Sequence, residues 1–245
     1  MQATTRWLIT GASLILLCCA AATQEKSYPP AQLNQIVDFM EKAQAGVRPS
    51  ISYQIVKEYR LSGSKDSRSD SDVVAEVDFQ TSDKMDYRIQ KSSGSDRGVQ
   101  VVRHLLDHEV TSPSHRGRTA LTRDNYDFSY ISEATLAGQR CYILGLTPRR
   151  KETDLIAGRL WVDEHSFVVR RIEGDLAKSP SWWLRRVSVK LDFSEVGGAW
   201  LQTEMEATAD VRVAGLYTLK SHMLDYRPAS DFASAGSIQS VPNKP

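Results

Sequence analysis

The chain has 245 residues, of which 41% are hydrophobic and 25% are charged, and its formal net charge is +1. A nearly neutral chain argues against nucleic-acid binding, because proteins that bind nucleic acids usually carry a strongly basic face. This length allows one large domain or two small ones, and all-β domains often reach it as a single domain.

The first residues have the pattern of a secretory signal peptide. Arg6 is the only early positive charge, the apolar run "WLITGASLILLCC" follows it, and a stretch of alanines ends at Ala22. A charged start, an apolar middle and a small-residue cleavage site are the three parts of such a signal. We therefore expect residues 1–22 to be removed on export. Two alternatives are an uncleaved membrane anchor and a lipoprotein signal that is acylated at Cys18 or Cys19.

Once the signal peptide is removed, a single cysteine remains in the chain. Cys141 lies in the apolar run "QRCYILGL". One cysteine cannot form an internal disulfide, so the stability of the exported chain cannot depend on such bonds. The apolar surroundings predict a buried, unreactive thiol rather than a nucleophile.

The first third of the mature chain combines two helices with three strands. Ala31 to Gly46 and Asp96 to Val110 carry apolar residues at helical spacing, and both segments are predicted to be helices. Between them, residues 51–61, 73–79 and 84–90 alternate apolar and polar side chains. This alternation is typical of antiparallel strands with one buried and one solvated face.

The rest of the chain predicts only strands, separated by turn-forming residues. The candidates are Asp127 to Ser132, Arg140 to Leu146, Ile156 to Asp163, Phe167 to Glu173, Trp182 to Phe193, Trp200 to Ala209 and Val211 to Tyr226. The last candidate is long, and we expect it to bend near Gly215. Residues 229–245 are rich in Ser, Ala and Pro and are expected to form a flexible tail. We find no internal repeat and no clear linker, so residues 23–228 are predicted to be one domain.

Ten strands and two helices predict a mainly β (α+β) fold. The alternation indicates one large, curved antiparallel sheet with one apolar face. Such a sheet must close into a barrel or cover that face with other elements. The pattern therefore favours a sheet wrapped around its helices.

Two adjacent tryptophans begin the stretch "WWLRRVSVKLDF". Neighbouring side chains of a strand point to opposite faces, so Trp183, Val187 and Val189 are predicted to face the apolar interior and Trp182 to face outward. Arg185 falls on the apolar face, where an unpaired charge is costly. It is either a polar anchor at the mouth of an apolar cavity or an arginine that reaches the edge of the sheet.

The most enzyme-like string is "HLLDHE", which begins at His104. On a helix, His104 and His108 lie on one side, in an arrangement close to the H-x-x-E-H motif of zinc proteases. Asp107 stands where that motif has glutamate, and no convincing third ligand follows. We therefore predict neither a metal site nor a catalytic site. A metal-dependent hydrolase that uses these three residues stays as the least favoured hypothesis.

Several short strings, in this order, resemble exported outer-membrane lipoprotein-sorting proteins of the LolA-like group. They are "NYDF" from Asn125, "GQRCYILGLTPRRK" from Gly138, "GRLWVD" from Gly158, "RRIEG" from Arg170, "KSPSWW" from Lys178, "GGAWL" from Gly197 and "DYR" from Asp225. Each string is weak alone, but their order and spacing are fairly specific and cover most of the mature chain. The chain looks like a divergent branch of that group.

The resemblance implies an unclosed antiparallel β-barrel, with two or more helices as its lid and an apolar cavity that holds acyl chains. We expect an exported periplasmic protein that carries or binds the acyl chains of lipids or lipoproteins. It is expected to be a monomer without enzymatic activity or cofactor. Envelope membrane proteins are expected as further partners. The alternative is a sensory or structural interaction module of the envelope with the same fold and no cargo. The predicted lining residues are Tyr53, Ile55, Phe79, Tyr87, Trp183, Val187 and Val189, with Arg185 at the cavity mouth.

Overall fold

The structure is a computed structural model that describes residues 30–47, 51–63, 70–81, 84–111 and 116–229. The predicted signal peptide and its cysteines lie outside the described residues. So does the predicted tail, apart from its first residue.

The described chain contains three helices and ten strands. In chain order they are α1 (Pro30–Gly46), β1 (Tyr53–Gly63), β2 (Ser71–Phe79), β3 (Met85–Gly94), α2 (Asp96–Thr111), α3 (Arg116–Thr119), β4 (Tyr126–Leu136), β5 (Gln139–Pro148), β6 (Ile156–Asp163), β7 (Val169–Leu176), β8 (Leu184–Val196), β9 (Ala199–Val211) and β10 (Gly215–Pro228). None of the described helices combines the length and the apolar character that crossing a bilayer requires.

All ten strands belong to one antiparallel sheet, in the order β3-β2-β1-β10-β9-β8-β7-β6-β5-β4. Strands that pair in the sheet are consecutive in sequence, with one exception: β1 pairs with β10 along its whole length, from Tyr53 opposite Pro228 to Gly63 opposite Tyr217. The outer strands β3 and β4 do not pair with each other, so the sheet does not close. The predicted fold class, a mainly β chain with a single antiparallel sheet that forms an unclosed barrel and carries helices, is confirmed.

The strands form where apolar side chains recur at every second position. In β2, Val73, Ala75 and Val77 are at most 1% exposed, whereas Asp72 is exposed on the other face. Such alternation buries one face of the strand and leaves the other in water. Hence this face of the sheet is largely apolar, and both long helices pack on it. A small third cluster lies on the opposite face of β5 and β6 and consists of Cys141, Ile143 and Trp161.

The two long helices cover opposite flanks of the apolar face. From α1, Ile36, Val37 and Met40 pack into a buried cluster with β4 to β7. From α2, Val102 and Leu106 pack into a second buried cluster, mainly with β1 and β2. Two separate cores result, and the centre of the sheet lies between them.

Helix and strand limits differ from the predicted ones in a few places. The strand predicted from Trp182 starts at Leu184, because residues 182 and 183 form a turn. The strand predicted from Val211 to Tyr226 is divided: Val211 ends β9, and β10 begins at Gly215, whose φ of 93° is a conformation that favours glycine. The expected bend is therefore a complete turn between two strands.

Candidate functional site

A strip of partly exposed apolar side chains crosses the centre of the sheet. We call it the apolar strip and define it as Val187 and Val189 of β8, Ala207 and Ala209 of β9, and Tyr217 of β10. Val187 pairs with Ala209, which in turn pairs with Tyr217, and Val189 pairs with Ala207. Directly paired residues of an antiparallel sheet share a face, so these five side chains lie together.

The apolar strip lies on the face that carries the helices, between the two buried clusters. Leu219 pairs with Ala207 and belongs to the cluster under α2. Leu191, two residues beyond Val189 on the same strand face, packs against the cluster under α1. Thus each flank of the apolar face is covered by a helix, whereas the strip between them is still accessible to solvent.

Small residues continue the apolar strip onto β6 and β7. Val189 pairs with Gly174, which pairs with Gly158. A Cβ at Gly158 would lie 2.1 Å from the carbonyl oxygen of Glu173, and one at Gly174 would lie 2.2 Å from that of Ala157. No side chain fits at either position, so this part of the face stays flat and leaves room above the sheet.

The last turn of α2 is joined to the sheet by a buried ion pair. The Nζ of Lys57 lies 2.5 Å from one carboxylate oxygen of Glu109, and the hydroxyl of Tyr59 donates a hydrogen bond to the other at 3.2 Å. The Lys57 side chain is only 5% exposed. A buried ammonium requires such a partner, since its transfer from water is otherwise costly. Burial, together with the Glu109 charge, raises the pKa of Tyr59, so its hydroxyl stays a donor.

The neighbouring acidic and basic residues of "HLLDHE" also hold α2 in place. Asp107 accepts a hydrogen bond of 2.7 Å from the Tyr87 hydroxyl, and Nε2 of His108 lies 3.2 Å from Asp154, beyond β5. The bond to Asp107 raises the pKa of Tyr87. Among the residues that the structure describes, no group of three or more His, Cys, Asp or Glu side chains is arranged to hold a metal ion.

Four of the predicted lining residues lie on the α2 flank. Tyr53, Ile55 and Phe79 are at most 8% exposed, and the Tyr53 and Phe79 rings stack with centroids 4.8 Å apart. Tyr87 packs against the same cluster. Their side chains fill the space beneath α2, so they would line a cavity only if this helix moved away from the sheet.

The remaining predicted residues lie elsewhere. Val187 and Val189 belong to the apolar strip. Trp183 lies in the turn before β8 and is 44% exposed. Arg185 is the extra residue of a β-bulge, because Leu184 and Arg186 pair with the consecutive residues Val211 and Asp210 of β9.

The bulge explains why an arginine interrupts the apolar alternation of β8. The Arg185 side chain is 61% exposed, and its guanidinium lies 3.7 Å from the carboxylate of Asp210. A bulged residue is released from the alternation of the strand, so no charge is buried here. Whether Arg185 contacts a ligand stays a prediction.

Sequence reasoning did not identify the β9 and β10 residues of the strip. Ala207 and Ala209 alternate with Thr208 and Asp210 in "ATADV", but alanine contributes little to an apolar pattern. The lone cysteine, in contrast, was predicted correctly, since Cys141 is free and 1% exposed.

The opposite face of the sheet carries charges that neutralise one another. Arg159, Glu173, Lys190, Glu206 and Lys220 form one cross-strand row of alternating sign. A shallow groove of about 520 Å³ runs along the first four of them. Because each charge has an opposite neighbour, this face attracts neither anions nor cations strongly.

A buried carboxylate stabilises the turn between β6 and β7. Asp163 accepts hydrogen bonds from the backbone N–H groups of His165 (3.0 Å) and Ser166 (2.9 Å) and from Nε of Arg170 (2.6 Å). Burial disfavours the ionised form, but these bonds outweigh it and lower the pKa of Asp163 from 3.8 to about 2. The contribution of Asp163 to stability is therefore complete above about pH 4 and is lost as the pH falls toward 2.

We expect Asp163→Asn to lower the free energy of unfolding by about 2 kcal/mol at pH 7, and by much less near pH 2. Urea unfolding at both pH values measures this. Asp127→Asn is the matched control: its carboxylate lies 2.7 Å from Arg149, but its side chain is 63% exposed, so little change is expected. An equal cost for Asp163→Asn at both pH values would contradict the assignment of its effect to ionisation.

Comparison with known proteins gives the following matches. A family model described as an uncharacterized protein matches residues 118–221. No curated protein matches the sequence. Among solved structures, the chain is similar to a LolA superfamily protein from Nitrosomonas europaea, with 10% identity and a TM-score of 0.44 over 80% of this chain and 92% of that one.

Two further solved structures resemble the chain to the same degree. One is a putative outer membrane lipoprotein-sorting protein domain from Vibrio parahaemolyticus, with 11% identity and a TM-score of 0.42 over 83% of this chain and 98% of that one. The other is a DUF1329 family protein from Desulfovibrio piger, with 15% identity and a TM-score of 0.43 over 85% and 95%. All three TM-scores are below 0.5, so the fold is established by the strand order and the unpaired edges of the sheet.

Proposed function

We propose that the protein is an exported periplasmic carrier or binder of acyl chains from lipids or lipoproteins, and that it performs no chemistry on them. The observation that carries this proposal is the apolar strip, a solvent-accessible apolar surface between two helix-covered flanks. The resemblance of the sequence to the LolA-like lipoprotein-sorting group supports the same proposal.

The strip offers what an acyl chain needs. Each CH₂ group that leaves water contributes about 0.8 kcal/mol, so a chain laid along a few strands gains useful affinity. Gly158, Gly174, Ala207 and Ala209 leave volume above the sheet for the ligand. The ligand itself would then complete the cover of the apolar face.

The helix α2 limits how far the site extends. In this proposal a short ligand uses the strip alone, and a larger one displaces α2 and reaches Tyr53, Ile55 and Phe79. Such a displacement breaks the Lys57–Glu109 contact, which gives the helix a definite closed position. The mature chain acts as a monomer, and cargo exchange with envelope membrane proteins follows from release at this helix.

Filling the strip tests the proposal. We expect Ala207→Trp to weaken binding of a fluorescent fatty acid at least about tenfold, because the indole occupies the space of several CH₂ groups. Fluorescence titration measures the affinity. The matched control is Thr208→Trp, one residue further along β9 on the opposite, polar face, where Thr208 pairs with Ser188. Circular dichroism confirms that both variants fold.

Two results would count against the proposal. One is equal binding by the Ala207→Trp and Thr208→Trp variants, which would place the ligand elsewhere. The other is a protein that carries no acyl species in native mass spectrometry after gentle purification and also ignores added fatty acid. That second result would favour an envelope interaction module without cargo.

A further inference from the structure

Large apolar side chains are concentrated at one end of the sheet. The turn before β8, the turn between β9 and β10, and the start of β10 expose Trp182 (85%), Trp183 (44%), Val213 (102%) and Leu216 (49%). These are four of the nine large hydrophobic side chains that are strongly exposed in the described part of the chain. We call these four residues the tip. Such a concentration differs from the scattered exposed apolar residues of an ordinary surface.

The fold holds the tip in place. The backbone N–H of Arg212 donates a hydrogen bond of 2.9 Å to the carbonyl of Trp183, and its Nε donates one of 2.8 Å to the carbonyl of Trp182. The hydroxyl of Ser179 donates to the carbonyl of Leu184 at 2.8 Å. The two turns are thus bonded to each other, and the exposure of their side chains is built into the structure.

Positive charge surrounds the tip. The cationic side chains of these two turns and of the adjoining start of β8 are Lys178, Arg185, Arg186 and Arg212. The nearby carboxylates are Asp175, which binds Arg186 through two hydrogen bonds, and Asp210, 3.7 Å from Arg185. Two positive charges therefore remain in excess beside the apolar side chains.

We propose that the tip docks onto an anionic lipid bilayer. Tryptophan favours the interface between headgroups and acyl chains, where its ring is buried and its N–H stays hydrated. Each Lys or Arg near an anionic surface adds favourable electrostatic energy. A fully exposed side chain at a turn apex, like that of Val213, enters a fluid bilayer without needing a matching pocket.

A folded protein partner fits the tip less well. The residues that dominate protein interfaces lie in well-packed pockets surrounded by a flat contact area. The tip instead projects from two tight turns and the start of β10 at the end of the sheet. The residues of the tip differ from those of the proposed acyl-chain site. Membrane docking and acyl-chain binding can therefore be disproved independently of each other.

The first test measures insertion of the tip tryptophans into the bilayer. The chain from residue 23 onward, without the predicted signal peptide, is mixed with vesicles of phosphatidylglycerol and brominated phosphatidylcholine, in which bromine quenches inserted tryptophans. We expect strong quenching in the unaltered chain, most of which is lost in Trp182→Phe/Trp183→Phe. Trp161 and Trp200 are common to both proteins, so the difference reports the tip alone. Unchanged quenching in the double variant would overturn the proposal.

The second test measures affinity. We expect Val213→Asp to weaken binding to vesicles with phosphatidylglycerol at least about tenfold, since it removes apolar burial and adds repulsion. Leu224→Asp is the matched control, because Leu224 is 52% exposed on β10 away from the tip. It should bind as the unaltered chain does, and high salt should weaken both. Equal binding by the two variants, or loss of self-association rather than of vesicle binding in Val213→Asp, would overturn the proposal.

Discussion

Gly174→Ala is expected to lower the free energy of unfolding by at least about 3 kcal/mol, the upper range for a residue forced into a packed site. An alanine Cβ at this position would lie 2.2 Å from the carbonyl oxygen of Ala157 and 2.8 Å from the Cα of Gly158. Both are backbone atoms of the neighbouring strand, so no side-chain rotation relieves the contact. The strands β6 and β7 would have to separate where the two glycines pair.

Urea unfolding, followed by tryptophan fluorescence, measures the effect of Gly174→Ala. Gly46→Ala, at the end of α1, is the matched control because nothing lies within 4 Å of its added Cβ. We expect that variant to stay within about 0.5 kcal/mol of the unaltered chain. A similarly small change for Gly174→Ala would show that β6 and β7 can accommodate a Cβ at this position, contrary to the contacts in the structure.

Glu109→Ala is expected to cost about 3 kcal/mol. The substitution leaves the Lys57 ammonium buried, with a side chain only 5% exposed, and also removes the acceptor of the Tyr59 hydroxyl. Breaking a buried ion pair by removing one partner is far more destabilising than removing both. The double variant Lys57→Met/Glu109→Leu should therefore recover most of the loss.

An exposed ion pair of the same sheet serves as the control for Glu109→Ala. Glu206 lies 3.3 Å from Lys220, and both side chains are largely exposed. Glu206→Ala should change the unfolding free energy by less than about 1 kcal/mol. Hydrogen exchange of the α2 amides is the second measurement, since loss of the Lys57 contact should speed exchange in its last turn. If Glu109→Ala and Glu206→Ala cost the same, burial of the Lys57–Glu109 pair contributes nothing.

Most of the secondary structure could be predicted from the sequence because its periodic patterns are strong. Val73 and Val77 alternate with polar residues, and the helix expected from Ala31 to Gly46 is observed from Pro30 to Gly46. The pairing of β1 with β10 could not be predicted, since local periodicity carries no information on which distant strands pair. The β-bulge at Arg185 could not be predicted either, because in the sequence one inserted residue only interrupts the alternation of apolar and polar side chains.

The candidate site could be predicted from the sequence only in part, for a related reason. Val187 and Val189 stand out as apolar, whereas Ala207 and Ala209 become a site only through their position between two helices. Which part of the apolar face a helix covers depends on packing, and packing is not a periodic property. The helix spacing in "HLLDHE" was read correctly, but the role of Glu109 depends on Lys57, a partner 52 residues away.

The pairing of β1 with β10 gives the last strand of the chain a particular importance. Strands β1 to β3 and β4 to β9 are each joined in sequence, and β10 alone connects the two groups. Without it, the sheet would separate into two pieces, each with a newly unpaired edge. Assembly of the whole domain must therefore wait for its final segment, a long loop closure that makes folding slow. Until that closure occurs, both edges are open to pairing with other chains.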